Sequence, residues 1–277
     1  MTTDTNHANL AEEEKERARD QWSKDPAGAV YGREHEFGSC EFFEAVERHR
    51  YSEYAPWMPE VMGFKEFAGA RLLEIGCGMG TDLLQFARGG AKVTGIDLTP
   101  RSIEISRRHF EIYEQRADFA IGDAEKLPFK SESFDVVYSN GVLHHTPDTA
   151  GAVRELHRVL RRGGQARVML YHRDSLNYWG QIMLRHGVLG GELFRGRSAE
   201  EIMSRHVEVN EGGGRPLVKV YSRGRARNLF SMFRDVSVEV EQLTRAELPL
   251  VGKLIPGSVL RFLRQSVGGN VIISARK

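Results

Sequence analysis

The strongest constraint on the fold is an alternation of short apolar runs and amphipathic segments between Ala70 and His172. Five runs have the composition of strands: ARLLEIGCG, AKVTGID, ADFAIGDA, SFDVVYSNGVL and QARVMLYH. Helical patterns separate most of them, which is typical of βαβ units and of a parallel sheet covered by helices on both faces. We therefore predict an α/β fold of the Rossmann-like, doubly wound type. In such a sheet a ligand binds beyond the carboxyl ends of the strands.

The chain on either side of this core is less regular. Residues 1–9 are predicted to be a disordered tail and residues 10–69 an N-terminal helical cap, with the main domain covering 70–277. After the fifth strand, residues 175–217 read as a helical lid insert over the carboxyl edge of the sheet. PLVKVYSRGRARNLFSMF has a helical pattern, and VSVEVEQL and GGNVIISARK are strand-like. The prediction is a mostly parallel, seven-stranded sheet with an antiparallel terminal strand.

Charge and cysteine content limit the class of protein. The 39 Lys and Arg residues nearly cancel the 38 Asp and Glu residues, which argues against a protein that grips a nucleic-acid backbone. Two cysteines are too few for a disulfide framework. No N-terminal signal sequence and no apolar run of roughly 18 residues is present. We expect a cytoplasmic protein with neither nucleic acid nor a membrane as partner.

A glycine-rich turn follows the first predicted strand, at Glu74-Ile75-Gly76-Cys77-Gly78-Met79-Gly80. Glycines at such a turn let the backbone approach a ligand closely, with the N–H groups of the next helix facing it. Thr81 occupies the position where a dinucleotide-binding fold carries its third glycine, and Glu74 is foreign to that fingerprint. The loop therefore predicts a cofactor site of another kind.

Polar residues end the next three strands. Asp97 ends the second strand, Asp123 follows the third and Asn140 ends the fourth. The carboxyl ends of parallel strands meet at one edge, so these side chains should face one cleft. A carboxylate after the second strand can accept both ribose hydroxyls of a nucleoside, and one after the third can accept the exocyclic amine of adenine.

Three stretches resemble the successive motifs of class I S-adenosylmethionine-dependent methyltransferases, in particular the bacterial ubiquinone/menaquinone-biosynthesis-like subgroup that acts on small molecules. They are LLEIGCGMGTDLLQFARGGAKVTGIDLTPRSIEISRRHF, GDAEKLPFKSESFDVVYSNGVLHHTPD and ELHRVLRRGG, within residues 70–172. The resemblance implies S-adenosyl-L-methionine as cofactor and a small-molecule acceptor. It also implies a set of cofactor-binding residues: Gly76, Gly78 and Gly80 at the methionine part, Asp97 at the ribose, Leu98, Asp123 and Ala124 at the adenine, and Asn140 at the amino-acid end. Glu74 and Cys77, in the same loop, are counted with the cofactor-binding residues.

Methyl transfer from a sulfonium is an in-line displacement, so the protein chiefly aligns the reactants, and a base matters only if the acceptor loses a proton. The candidate bases are His144 and His145, which follow the fourth strand. Two further catalytic candidates are Tyr31 and His172. The candidate acceptor-binding residues are Tyr31, His35, Tyr171, Arg173 and Tyr178. We expect no metal ion, because the histidines match no compact ligand spacing.

Several alternatives stay open at this point. A nucleic-acid methyltransferase is disfavoured because Ser139-Asn140-Gly141-Val142 lacks the Asn/Asp-Pro-Pro-aromatic motif of base-amino methyltransferases. A nicotinamide-dependent oxidoreductase shares the fold but not the loop. A non-catalytic adenosylmethionine-binding protein would carry the same binding residues, since a fold does not fix a reaction. The methylated atom (O, N, S or C) is undetermined, and a homodimer is considered.

Overall fold

The computed structural model describes residues 2–207, 216–248 and 252–277, with the side chains of residues 2–8 outside the description. A seven-stranded sheet forms its centre, in the order β3-β2-β1-β4-β5-β7-β6. The strands are β1 (Arg71–Ile75), β2 (Lys92–Asp97), β3 (Ala117–Ile121), β4 (Phe134–Asn140), β5 (Leu160–Tyr171), β6 (Arg234–Glu241) and β7 (Asn270–Arg276). Only β7 runs antiparallel to its neighbours. The predicted α/β class and the antiparallel terminal strand are confirmed.

Helices cover both faces of the sheet. They are α1 (Thr2–Lys24), α2 (Cys40–Arg48), α3 (Met58–Val61), α4 (Thr81–Arg88), α5 (Pro100–Ile112), α6 (Thr149–Val159), α7 (Ala199–His206), α8 (Arg223–Leu229) and α9 (Gly257–Val267). Two π-helical segments, His49–Tyr54 and Asn177–Leu189, follow α2 and β5. Side chains that cap the N-termini of α5 and α6, Thr99 and Asp148, satisfy backbone N–H groups that the first turn leaves free.

Two apolar layers hold the helices on the sheet. One contains Leu73, Val137 and Val168 from the central strands together with Leu156 of α6. The other packs Leu72 and Tyr138 against Phe86 of α4. Continuous apolar strands of this kind need cover on both faces, because neither face can be left in water. The polar ends of the strands are thereby left at the carboxyl edge.

The N-terminal cap lies on the same edge, as its own apolar cluster shows. Phe42, Phe43 and Val46 of α2 pack on Met79 of the glycine-rich turn and on Ile105 of α5. Helix α1 begins at Thr2, so residues 2–9 are helical and the disordered tail expected there is wrong.

The region after β5 differs from the prediction in two places. Residues 216–222 are extended, and α8 begins only at Arg223. The backbone explains this, because the Tyr221 N–H donates to the Tyr171 carbonyl oxygen and the Tyr221 carbonyl oxygen accepts from the Arg173 N–H. These sheet-like hydrogen bonds satisfy the backbone without a helix. Helix α9, which precedes β7, was not predicted. The proposed lid is helical over Asn177–Leu189 and Ala199–His206, and its residues 208–215 lie outside the described residues.

Candidate active site

Two adjoining cavities lie at the carboxyl edge, with volumes of about 250 and 500 Å³. We call them the apolar cavity and the loop cavity. The apolar cavity is lined by strand ends β2 to β5, by α1 and by the loop after β4. The loop cavity lies between the glycine-rich turn and the N-terminal cap. Both contact the same residues at their junction: Trp22, Ala27, Arg50, Tyr54, Gly76, Gly78 and Asn140.

The glycine-rich turn has the backbone that its sequence predicts. Gly76, Gly78 and Gly80 all have positive φ, at 76°, 53° and 76°, a region that favours glycine. A side chain at Gly76 would overlap Val142, whereas nothing lies within 4 Å of a Cβ built on Gly78. Position 78 is therefore open to the cavities and needs glycine for its φ. Cys77 is buried, and burial raises the pKa of its thiol well above the usual range.

Asp97 is oriented by the loops on either side of it. Its Oδ2 accepts from the Gly78 N–H at 2.9 Å, and its Oδ1 accepts from the N–H and hydroxyl of Thr99 at 2.9 and 3.0 Å. The carboxylate thus ties the turn after β1 to the end of β2. It lines the apolar cavity together with Leu98. Because each carboxylate oxygen has two lone pairs, further donors can bind there.

Asp123 lies at the end of β3 and is covered by the first helix. Lys15 of α1 donates to its Oδ2 at 2.6 Å and also pairs with Glu125. The Asp123 Oδ1 accepts from the Glu125 N–H. Ala124 and Lys15 line the apolar cavity. Helix α1 therefore closes this part of the cavity over the strand end that the sequence assigned to adenine.

A buried carboxylate at the start of α4 organises the junction between the cavities. Arg50 donates from Nε and Nη2 to the two oxygens of Asp82, both at 2.6 Å. Hydroxyl groups of Tyr51 and Tyr138 donate to the same carboxylate at 2.6 and 2.7 Å, and the Asn140 amide donates at 3.1 Å. These partners, above all Arg50, hold the pKa of Asp82 below its usual value in spite of burial.

The Glu74 carboxyl lies beside this network but forms no hydrogen bond with Arg50. It is 3% exposed, and burial, together with the negative charges of Asp82 and Asp97, raises its pKa well above the usual range. Among the described residues, Glu74 Oε2 and the Asn140 Oδ1 have no hydrogen-bond donor. Buried acceptors normally have partners. Both atoms belong to residues that line the loop cavity, so the cavity offers acceptors for a ligand with N–H groups.

The two adjacent histidines occupy different environments. His145 lines the apolar cavity, and its Nδ1 is 2.6 Å from the Leu217 carbonyl oxygen. His144 is fully buried behind it, with its ring centroid 4.0 Å from that of Tyr171. Neither ring nitrogen of His144 has a partner among the described residues, and burial lowers its pKa well below the usual range. His144 lines neither cavity, so the structure does not bring this candidate base to the site.

Side-chain alternation along β5 separates the remaining candidates. Met169 and Tyr171 line the apolar cavity, whereas His172 points the other way, is 2% exposed and has its Nδ1 2.8 Å from the Gly268 carbonyl oxygen. Arg173 bonds Asp174 and lines neither cavity. In a strand, successive residues face opposite sides. Tyr171 is thus brought to the site, and His172 and Arg173 are not.

Of the candidates on the lid and the cap, only one lines a cavity. Tyr178 is buried in the apolar core of the insert with Ile182 and Ile202 and does not line the apolar cavity. Tyr31 is half exposed, lines the loop cavity and stacks on His49 with centroids 3.5 Å apart. His35 is exposed and lines neither cavity.

Comparison with known proteins agrees with this geometry. A family described as a methyltransferase domain matches residues 73–168, the segment that contains the glycine-rich turn and the strand ends. Over 122 residues the chain is 37% identical to the ubiquinone biosynthesis O-methyltransferase of Methylocella silvestris, covering 44% of this chain and 48% of that protein. Residues 73–168 form a methyltransferase domain, and the chain is similar to S-adenosylmethionine-dependent methyltransferases. S-Adenosylmethionine is the cofactor of this family.

A second relative extends the similarity outside the matched domain. The chain is 35% identical over 187 residues to phthiotriol/phenolphthiotriol dimycocerosates methyltransferase 1 of Mycobacterium ulcerans, covering 65% of this chain and 64% of that protein. The chain thus spans about half to two thirds of the length of these curated relatives. Among solved structures, an S-adenosylmethionine-dependent methyltransferase of Methanosarcina mazei has a TM-score of 0.55 at 17% identity, covering 79% and 97% of the two chains. That likeness shows the fold.

Several site residues that the sequence did not reveal come from the N-terminal cap. Lys15, Trp22 and Arg50 line the cavities, and Asp82 at the start of α4 joins them; none of the four was among the predicted site residues. The Lys15, Ala18 and Trp22 spacing of three and four residues marks one helix face and was the available signal. Among the residues that the structure describes, no cluster of metal ligands is present and no helix is long and apolar enough to cross a membrane.

Proposed function

We propose that this protein transfers the methyl group of S-adenosylmethionine to a hydroxyl oxygen of a small, largely apolar acceptor. The observation that carries the proposal is the junction of the two cavities. The loop cavity, which contains buried hydrogen-bond acceptors, meets the apolar cavity at Arg50, Gly78 and Asn140. A cofactor with a charged amino-acid end can occupy the loop cavity while the apolar cavity holds an apolar methyl acceptor.

The residues present fit the cofactor. Oε2 of Glu74 and Oδ1 of Asn140 are buried acceptors that an ammonium group would satisfy. Arg50 lines both cavities at their junction, where its guanidinium would attract a carboxylate. Asp97 would accept the ribose hydroxyls, with Leu98 against the adenine and Asp123 at its amine. When bound, the cofactor supplies a sulfonium methyl that is already activated.

In this proposal the acceptor binds in the apolar cavity beside the cofactor. Met58, Met169, Tyr54 and Tyr171 line this cavity, with Asn270 as a polar neighbour. Such lining favours an apolar body with one hydroxyl group. The two relatives described above support an oxygen acceptor, since one is named an O-methyltransferase and the other acts on a triol by its name.

An oxygen acceptor must lose a proton, and in this proposal His145, which lines the apolar cavity, takes it. Its Nδ1 lies against the Leu217 carbonyl oxygen, so Nδ1 carries the proton in the neutral ring and Nε2 is the basic nitrogen. A positioned base of this kind contributes about 10²–10⁴-fold to the rate. The remaining acceleration would come from alignment and from the exclusion of water by α1 and the cap.

The test uses labelled S-adenosylmethionine and matched acceptors. The full chain is incubated with an alkyl-substituted phenol or with its methyl ether, and label extracted into organic solvent is counted. Transfer to the phenol alone supports the proposal, and Asp97→Asn should abolish it. Binding of S-adenosylhomocysteine without transfer to any hydroxylated acceptor would favour a non-catalytic binding protein instead. Transfer to RNA would favour the nucleic-acid alternative.

A further inference from the structure

The exposed apolar side chains of this protein are concentrated in two segments. Seventeen large hydrophobic side chains are exposed among the described residues, and ten of them lie in residues 176–194 and 254–262. We call these two segments the apolar rim. Its exposed members are Leu176, Trp179, Leu184, Val188, Leu189, Leu193, Phe194, Leu254, Val259 and Phe262. Seven of the ten lie within residues 176–194, a local concentration that marks an interaction surface rather than ordinary scatter.

Helix α9 shows most clearly that part of the rim has no partner in the fold. None of its residues is buried. Leu260 and Leu263 are half-buried on the side that packs on the protein, while Phe262 is 68% exposed, and Leu254 in the preceding turn is 82% exposed. The apolar face of α9 is therefore wider than the surface that β6 covers. An amphipathic helix with such a face suits an interface between water and an apolar phase.

The charges of the rim have one predominant sign. Directly within or beside the rim, residues 252–270 contain no acid, and they carry the exposed cations Lys253 and Arg261, whereas Arg264 pairs with Glu241. Residues 175–197 carry the exposed cations Arg185 and Arg195, and their single acid, Glu192, is buried in ion pairs with His206 and Arg197. Apolar side chains interspersed with Lys and Arg are the combination that binds the surface of an anionic bilayer. A second copy of this chain fits less well, because an isologous contact would bring like charges together.

Both rim segments connect to the sheet beside the apolar cavity. Tyr171 and Asn270 form the last pair of the β5–β7 ladder, and both residues line that cavity. One rim segment begins five residues after Tyr171, and the helix of the other ends three residues before Asn270. The rim is therefore joined to the sheet by short connections from residues of the apolar cavity.

We propose that the apolar rim binds the surface of an anionic lipid bilayer and holds the protein there as a peripheral protein. The rim would insert its exposed apolar side chains at the headgroup level while its cations contact anionic headgroups. That the acceptor then comes from the bilayer rests on the function proposed above. No spanning helix is needed for such binding, so the proposal revises only the expectation that a membrane is no partner.

Vesicle sedimentation with the full chain tests the surface directly. Vesicles of phosphatidylcholine with an equal part of phosphatidylglycerol should sediment the protein, and pure phosphatidylcholine vesicles should bind it at least about tenfold more weakly. Raising the salt should release it, because screening weakens headgroup attraction. Leu254→Ser with Phe262→Ser should weaken binding about tenfold or more, whereas Leu10→Ser, which removes a side chain that is 56% exposed outside the rim, should not.

Controls separate this proposal from the proposed function. The double variant should bind S-adenosylhomocysteine with unchanged affinity by calorimetry, which shows an intact fold and cofactor site. No binding of the wild type to anionic vesicles, or equal binding of the double variant and the wild type, would overturn the membrane proposal. The membrane proposal would also be overturned if the wild type formed a dimer, the double variant abolished that dimer, and neither protein bound vesicles. Absence of methyl transfer in solution would contradict the proposed function alone.

Discussion

Arg50 donates two parallel hydrogen bonds to Asp82, one to each carboxylate oxygen and each 2.6 Å long. The pair joins the N-terminal cap to the first turn of α4, and Asp82 is only 3% exposed. Bidentate geometry of this kind is among the strongest that side chains form. Since Arg50 also lines both cavities, the contact couples attachment of the cap to the shape of the site.

The first prediction is that Arg50→Met destabilises the protein by about 3–5 kcal/mol, since it leaves the Asp82 carboxylate buried without its cation. Urea unfolding measures the change. Arg48→Met removes an exposed arginine from the same helical region and should change the free energy of unfolding by less than about 0.5 kcal/mol. Equal stability of the two variants would contradict the role of the pair.

The second prediction concerns pH and Glu74. Its pKa is raised in the folded protein, chiefly by burial, so the carboxyl contributes stability below its unfolded pKa and loses it as pH rises through the folded pKa. Glu74→Gln removes this titration. The free energy of unfolding of the variant, relative to wild type, should rise by about 1.4 kcal/mol per pH unit between those two pKa values. Unfolding curves at several pH values test it, with exposed Glu111→Gln expected to show no such trend.

The third prediction is that Asp97→Asn weakens binding of S-adenosylhomocysteine by at least about tenfold. The amide can still accept the Thr99 N–H, but its NH₂ group opposes the Gly78 N–H and removes a carboxylate from the ribose position. Calorimetry gives the affinity. Asp118→Asn, an exposed change on β3, is the matched control, and a similar loss in both variants would count against a specific role for Asp97.

The fourth prediction separates the adjacent histidines. His145→Gln should lower kcat for an oxygen acceptor by about 10²-fold or more with cofactor affinity unchanged, because the basic nitrogen is lost. His144→Leu should retain kcat within about threefold and leave stability nearly unchanged, because it replaces two nitrogens that have no partner within the described part of the chain. Steady-state kinetics and thermal unfolding check both. A larger kcat loss for His144→Leu would reverse the assignment.

The fifth prediction is that Lys15→Met accelerates release of S-adenosylhomocysteine. Lys15 is the contact through which α1 reaches Asp123 and Glu125, and its side chain is 15% exposed. Loss of a partly buried pair of this kind costs about 1 kcal/mol, or roughly fivefold in dissociation rate. Stopped-flow displacement measures the rate. Lys24→Met removes an exposed pair from the same helix and should leave the rate unchanged.

Much of the fold could be read from local patterns. Strands β1 to β5 are apolar runs of the length that a doubly covered sheet needs, and the glycines at 76, 78 and 80 have the positive φ that such a turn requires. Asp97 and Asn140 follow from strand order alone, because parallel strands place their carboxyl ends together. The extended residues 216–222 were missed because a nonlocal hydrogen bond to Tyr171 decides their conformation.

The amino-acid sequence by itself determined the sheet, the turn and the acids that line one edge of it, since these depend on periodicity and on residues a few positions apart. Tertiary structure alone decided which of two adjacent histidines faces the cavity, that His172 points away from it, and that Arg50 reaches Asp82 across 32 positions. Burial and ion pairing between distant segments depend on how the cap packs on the sheet. No local pattern encodes that packing, because its free energy depends on residues of the cap and of the sheet together.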